Sequence, residues 1–276
     1  MYKQKKVVVG IPSGRQRYMR LLIPQLRKSS IIDEIVLWVN TRNSDDLAWI
    51  EKQTNGLIRM HCLKSNVPDD FIENIRRVGH FICECNQPDT IYIKIDDDIV
   101  WLESDAIERL VQYRYENPEP FVVFPCLLNT STTSYLLQQE GWYQSCPPFS
   151  RNLLCPNGWK SGEIALLIHL EILKRIVNNE LNLYARPYVD FDYAQHSICT
   201  ICWNGEDMTP EFYELIKNHD EYALSSAIPK TLSRPVHFMN NAAVVHYGYN
   251  TQRNHLDRTD ILAKYEQLCK LQLNNN

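Results

Sequence analysis

The chain has 276 residues, 44% of them hydrophobic and 22% charged, and its 33 acidic side chains against 29 basic ones leave a formal net charge of -4. Such a chain can bury a large core in one α/β domain or in two smaller ones. Its slight acidity excludes the long-range attraction that a nucleic-acid binder or a polybasic membrane protein needs, yet leaves room for a small anionic ligand in a local basic pocket.

Met1 to Lys6 is polar and basic, and only five apolar or small residues follow before Pro12, too few for a signal-peptide core or an anchor. The longest apolar stretch, Ile164 to Leu173, is interrupted by His169 and Glu171 and is far short of a membrane span. The expectation is a cytoplasmic protein without a membrane span or a nucleic-acid partner. Nine scattered cysteines read as reduced thiols rather than as a disulfide framework. Cys199 and Cys202 form a C-x-x-C pair, but no second pair supplies zinc ligands, and the alternating run around them reads as a buried strand.

Lys6 to Ile11 is a β-branched run that ends in Pro12-Ser13-Gly14-Arg15, and Arg17 to Arg27 repeats apolar residues at helical spacing through Met19, Leu22, Ile23 and Leu26. Asp33 to Asn40 predicts a strand, Asp45 to Gln53 a helix with Ser44 as its N-cap, and Leu57 to Leu63 a third strand. Asp69 to Glu84 then has helical spacing, and the strand Thr90 to Ile95 follows a turn at Asn86 to Asp89. Strands alternating with helices predict a mixed, mainly parallel sheet flanked by helices.

The second half is less regular. Phe121 to Leu128 predicts a buried strand, Asn129 to Asn157 a long functional loop, and Gly162 to His169 a strand leading into a helix from Leu170 to Asn178. Ile198 to Trp203 predicts a strand, followed by a turn at Asn204 to Asp207 and a helix with Thr209 as N-cap and Pro210 at its first position. That helix is interrupted at Asn218-His219-Asp220 and resumes over Glu221 to Lys230. A strand at Ala242 to Tyr247 and a helix from Thr259 to Leu271 close the fold.

Chemistry is concentrated in Ile91-Tyr-Ile-Lys-Ile-Asp96-Asp97-Asp98. Three adjacent carboxylates follow a buried strand at the edge where open α/β sheets bind ligands, and a divalent cation with phosphate and water as further ligands would relieve their repulsion. The segment resembles the D-x-D motif of GT-A-fold glycosyltransferases, and Val7 to Arg15 resembles the first strand and nucleotide loop of that fold.

The resemblance implies a GT-A-like, Rossmann-related domain over residues 1–276, with a nucleotide-sugar-binding half (1–103) and an acceptor-binding, catalytic half (104–276). It implies Asp98 and His246 as ligands of Mn²⁺ or Mg²⁺, with His237 and His255 as weaker alternatives to His246. Asp96 and Asp97 would meet the ribose and a metal-bound water. Asp220 is the first choice of general base, and Asp207 the second. Pro12, Ser13, Arg15, Asn40 and Arg76 would hold the nucleotide.

Trp142, Tyr143 and Trp159 read either as a sugar-stacking platform or as core packing. The function expected is inverting transfer from a UDP-sugar, with UDP-xylose as one donor, to a hydroxyl of a glycan or glycoprotein acceptor. The resemblance reaches to cytoplasmic enzymes of microbes and large DNA viruses. Two alternatives stand beside it: a sugar-1-phosphate nucleotidyltransferase, which Pro12-Ser-Gly-Arg15 matches poorly, and a noncatalytic carbohydrate-binding relative.

Overall fold

In the computed structural model, residues 1–63 and 71–274 are described, with residues 71–75 in backbone alone. The strands are β1 (Lys6–Ser13), β2 (Glu34–Val39), β3 (Ile58–His61), β4 (Thr90–Ile95), β5 (Ile99–Leu102), β6 (Val123–Leu128), β7 (Tyr188–Asp190), β8 (Thr200–Asn204) and β9 (Val236–His246). They form one nine-stranded sheet in the order β3-β2-β1-β4-β8-β6-β9-β5, with β7 pairing β9. Strands β1, β2, β3, β4, β6 and β9 share one direction, and β5, β7 and β8 oppose it. This is the mixed, mainly parallel architecture that the alternation of elements predicts.

Both faces of the sheet are covered, and the strand period of two sorts the side chains between them. In β1, Val7, Val9 and Ile11 enter one core, whereas Val8 enters another with Val36 and Trp38 of β2. In β4, Ile91, Ile93 and Ile95 face the first core, and Tyr92 faces the second. Lys94 therefore shares the face of Tyr92, covered by the helices Phe71–Glu84 and Tyr213–Tyr222. A third core under β5 and β9 holds Trp142, Tyr143, Tyr247 and Tyr265.

The helix Gln16–Lys28 buries the four residues whose spacing predicts it. The helix Ser44–Glu51 is capped by Asn43, not Ser44, because the Asn43 side-chain oxygen accepts from the Asp45 and Asp46 amides. The predicted helix start at Asp69 lies outside the described residues; the helix is seen from Phe71 to Glu84.

The predicted strand Gly162–His169 is instead the beginning of one helix, Gly162–Val177. Ser161 starts it by accepting from the Ile164 amide, and the buried Ala165, Ile168, His169, Ile172 and Leu173 recur at helical spacing. A short apolar run alone does not tell strand from helix. The predicted loop 129–157 contains the helix Ser131–Gln139, whose buried Ser and Thr residues hide its periodicity. Further elements have no counterpart in the sequence reading, among them β5, β7 and the helices Ala106–Glu116 and Asn250–Leu256.

Gly79 brings the helices Phe71–Glu84 and Tyr213–Tyr222 into backbone contact: a Cβ there would lie 2.5 Å from the Ile216 carbonyl oxygen and 2.6 Å from Lys217 Cα. The Gly79→Ala variant is expected to lose about 1–3 kcal/mol, because backbone has to move to admit the methyl group. Urea denaturation checks this, and an unchanged midpoint would refute the close approach. The contact positions the helix that breaks at His219, where φ is -150° and ψ is 58°. A π-helical segment, Ala223–Ala227, and the helix Ile228–Leu232 follow.

Candidate nucleotide site

The ends of β1 and β4 lie side by side, so the loop after β1 meets the acidic segment after β4. Gly14 donates its amide to Asp97 Oδ2 at 2.8 Å, and Arg15 Nε donates to Asp97 Oδ1 at 2.9 Å, with Nη2 closing a second bond to that oxygen. Arg15 Nη1 also stands 3.3 Å from Asp98 Oδ2. Asp97, expected to face the ribose or a metal-bound water, thus gives both oxygens to the loop and is 2% exposed. Its role is to fix Gly14 and Arg15.

Strand β8 runs against β4, with Ile95 opposite Thr200, so the segment before β8 reaches the same edge from the other side. Lys94 is 3% exposed, and its ammonium bonds Asp96 Oδ1 at 2.6 Å and the Ile198 carbonyl at 2.9 Å. Burial opposes this charge, but Asp96, Cys199 and Asp220 outweigh it and hold the Lys94 pKa above its ordinary value. The sequence reading assigned Lys94 no role. Its signal was a single lysine among isoleucines in a strand buried on both faces, a setting in which lysine is rare unless paired.

The result is a cleft of about 540 Å³ lined by Pro12, Gly14, Arg15, Asn40, Val78, Lys94, Asp96, Asp97, Ile198, Cys199, Asp220 and Glu221. Pro12, Arg15, Asn40, Asp96, Asp97 and Asp220, separated by up to 208 positions in the chain, are therefore brought together. Ser13 is not among them: it is fully buried, and its hydroxyl donates to the Ile11 carbonyl. Arg76 is exposed on the helix Phe71–Glu84, where Val78 is the residue that reaches the cleft. Glu221, like Lys94, was missed in the sequence.

Asp98 and His246 meet because β5 returns along β9, with Ile99 opposite His246. His246 Nε2 lies 3.4 Å from Asp98 Oδ2, and His246 Nδ1 lies 3.3 Å from the Asn129 carbonyl, which accepts its proton. Arg253, unassigned in the sequence, donates to Asp98 Oδ2 at 2.6 Å. Burial pushes the Asp98 carboxyl up, but Arg15, His246 and Arg253 outweigh it and hold it well below the usual carboxylate range. Asp98 Oδ1 is buried without a partner.

That free oxygen would be open to a hard divalent cation, but His246, which Cys199 and Asp98 hold in its charged form against the cost of burial, would first have to give up its Nε2 proton to become a ligand. Among the described residues no group of three or more His, Cys, Asp or Glu is arranged to hold a metal ion, so phosphate and water would complete the shell. His237, half-facing Tyr113 with its Nδ1 3.0 Å from the phenol, and His255, packed near Gly162, are elsewhere.

Geometry corrects one expectation, that of Asp207, and decides one open alternative, that of Trp142 and Tyr143. Asp207 follows β8, whose end pairs with the beginning of β4, so it sits at the opposite edge of the sheet in an ion pair with Arg234 at 2.5 Å. Trp142 and Tyr143 are 1% and 2% exposed and belong to the third core, where Trp142 Nε1 donates to the Asn182 carbonyl. They are core packing rather than a sugar platform, and Trp159, on a separate short turn of helix, is half-buried. Cys199 and Cys202 are free, buried thiols, as are all the cysteines except the exposed Cys62.

No family model and no curated protein matches the chain. Among solved structures it is similar to CMP:2-keto-3-deoxy-manno-octonic acid synthetase complexed with CTP, at 12% identity and a TM-score of 0.44, over 98% of this chain and 100% of that one. It is also similar to 4-diphosphocytidyl-2C-methyl-D-erythritol synthase from Anaerococcus prevotii, at 11% identity and a TM-score of 0.47, over 96% of each chain. A third is HddC from Yersinia pseudotuberculosis, at 10% identity and a TM-score of 0.44, over 96% of this chain and 98% of that one.

At these identities the likeness is one of fold alone. None of the three is named as a glycosyltransferase, and the expected UDP-sugar glycosyl transfer is corrected accordingly: it is not carried forward. No helix among the described residues is long and apolar enough to cross a membrane.

Proposed function

We propose that the chain is a sugar nucleotidyltransferase, which joins the nucleotidyl group of a nucleoside triphosphate to a sugar or sugar phosphate and releases pyrophosphate. The observation that carries this reading is a pair of cations fixed at the open edge of the sheet, Arg15 held by Asp97 and Lys94 held by Asp96, in one cleft. Cations immobilised in this way are preorganised for the charge of a triphosphate and of the departing pyrophosphate.

In the reaction the acceptor oxygen bonds the α-phosphorus while the bond from that phosphorus to the β-phosphate oxygen breaks. Arg15 would orient the phosphates through its planar guanidinium, and Lys94 would act as a buried point charge. Asn40, at the end of β2, would border the base or ribose. A magnesium- or manganese-type cation held by Asp98 and His246 would supply further neutralisation of phosphate charge. Pyrophosphate release from a panel of nucleoside triphosphates, led by CTP, is the test. Binding of nucleotides without release in the presence of any sugar or sugar phosphate would overturn the reading.

A further inference from the structure

Opposite the two cations, the cleft is acidic. The break at His219 and the π-helical segment after Tyr222 turn Asp220 and Glu221 toward Lys94, and both carboxylates line the cleft. A π-helical insertion of this kind often marks a functional position. The two acids are not equivalent. Burial raises both carboxyls and Lys94 opposes the rise in both, but Asp220 Oδ1 accepts the Glu221 amide at 2.8 Å, whereas Glu221 carries the added repulsion of Asp220 and stands higher.

Glu221 Oε1 accepts from Gln195 Nε2 at 3.3 Å, and its carboxyl lies close to the Ile198 backbone. The groups around it are Asp220 on its own element, Lys94 from β4, Gln195 and the Ile198 backbone from the segment before β8, and Tyr249 from the segment after β9. Lys94 is engaged by Asp96 and Ile198, and among the described residues Glu221 has no ion pair.

Resting on nucleotidyl transfer as the reaction, we propose that the acceptor attacks through a hydroxyl rather than a phosphate, and that Glu221 takes the proton of that hydroxyl. A phosphate acceptor would bring its charge against two carboxylates, whereas a hydroxyl finds there the base that it requires. The hydroxyl oxygen bonds the α-phosphorus, the bond to the β-phosphate oxygen breaks with its electron pair leaving on pyrophosphate, and the proton passes to the Glu221 carboxylate. Burial, reinforced by the charge of Asp220, pushes this carboxyl up to about 7. A base so placed is matched to neutral pH. Since the ionised form is the active one, the rate rises with pH through this value and then levels.

The experiment follows pyrophosphate release with free sugars and with sugar 1-phosphates as acceptors, across neutral pH, for the wild type, Glu221→Gln and Glu221→Asp. Release with free sugars alone is expected, with an acid limb centred near the Glu221 value. Glu221→Gln should lower kcat about 100-fold or more and abolish the limb while leaving nucleotide Kd unchanged. Glu221→Asp should restore part of the rate together with a limb.

Release with sugar 1-phosphates alone, or a Glu221→Gln enzyme that keeps the wild-type rate and profile, overturns the inference and leaves nucleotidyl transfer standing. Absence of release with either acceptor class removes nucleotidyl transfer and this inference together.

Discussion

Lys94→Met is expected to cost about 3–5 kcal/mol of stability and to weaken nucleoside triphosphate binding at least about tenfold, the larger of the two effects anticipated at this site. The methionine can fill the stem of the lysine, but it cannot answer Asp96, 2.6 Å away, or the Ile198 carbonyl. Asp96, Asp220 and Glu221 then share a cleft wall without the cation buried among them. Denaturation in urea measures the first effect, and calorimetric titration with CTP and other nucleoside triphosphates the second. A stable variant that binds as the wild type does would show that Lys94 is a bystander.

Asp97→Ala should cost about 3 kcal/mol, since it leaves the Gly14 amide without its acceptor and releases Arg15 from two of its bonds. Asp97→Asn retains an oxygen for Gly14 but removes the charge that holds the guanidinium, so it should be the milder change. In both variants the loop after β1 is freed, and nucleotide affinity falls because Arg15 must be ordered by the ligand itself. Amide hydrogen exchange at Gly14 separates this account from a general loss of stability: the exchange should quicken far more than in β1, and equal acceleration would refute it.

The first half of the fold was legible because its strands are continuous β-branched runs and its helices carry a clear apolar stripe, as in Val7–Ile11 and Met19–Leu26. In the second half, local signals conflict with tertiary packing. The helix Ser131–Gln139 buries Ser131, Thr132, Thr133 and Ser134, whose hydroxyls read as loop. Gly162–His169 has the length of a strand, and only its continuation to Val177 shows the helical face.

At the site, Asp96 to Asp98 stood out because adjacent carboxylates beside an apolar strand demand compensation. Of the compensating cations only Lys94, two residues before Asp96, was written locally: Arg15 and Arg253 come from other elements, and it took the pairing of β1 with β4 and of β5 with β9 to bring them in. Asp207 misled for the same reason, since its acidic neighbourhood resembles a site while the direction of β8 carries it to the far edge.

The sheet order also limits how the protein can move. Residues 1–103 contribute β5 to the far edge beside β9, and β4 is laced to β8, where the Asp96 amide bonds the Cys199 carbonyl at 2.8 Å. The two halves are thus interleaved, like the fingers of folded hands, with the clasp at the cleft floor. Opening them as hinged jaws would tear the central ladder. Entry and exit of a substrate must depend on smaller excursions of the walls above that clasp, and these can be fast without loosening the floor.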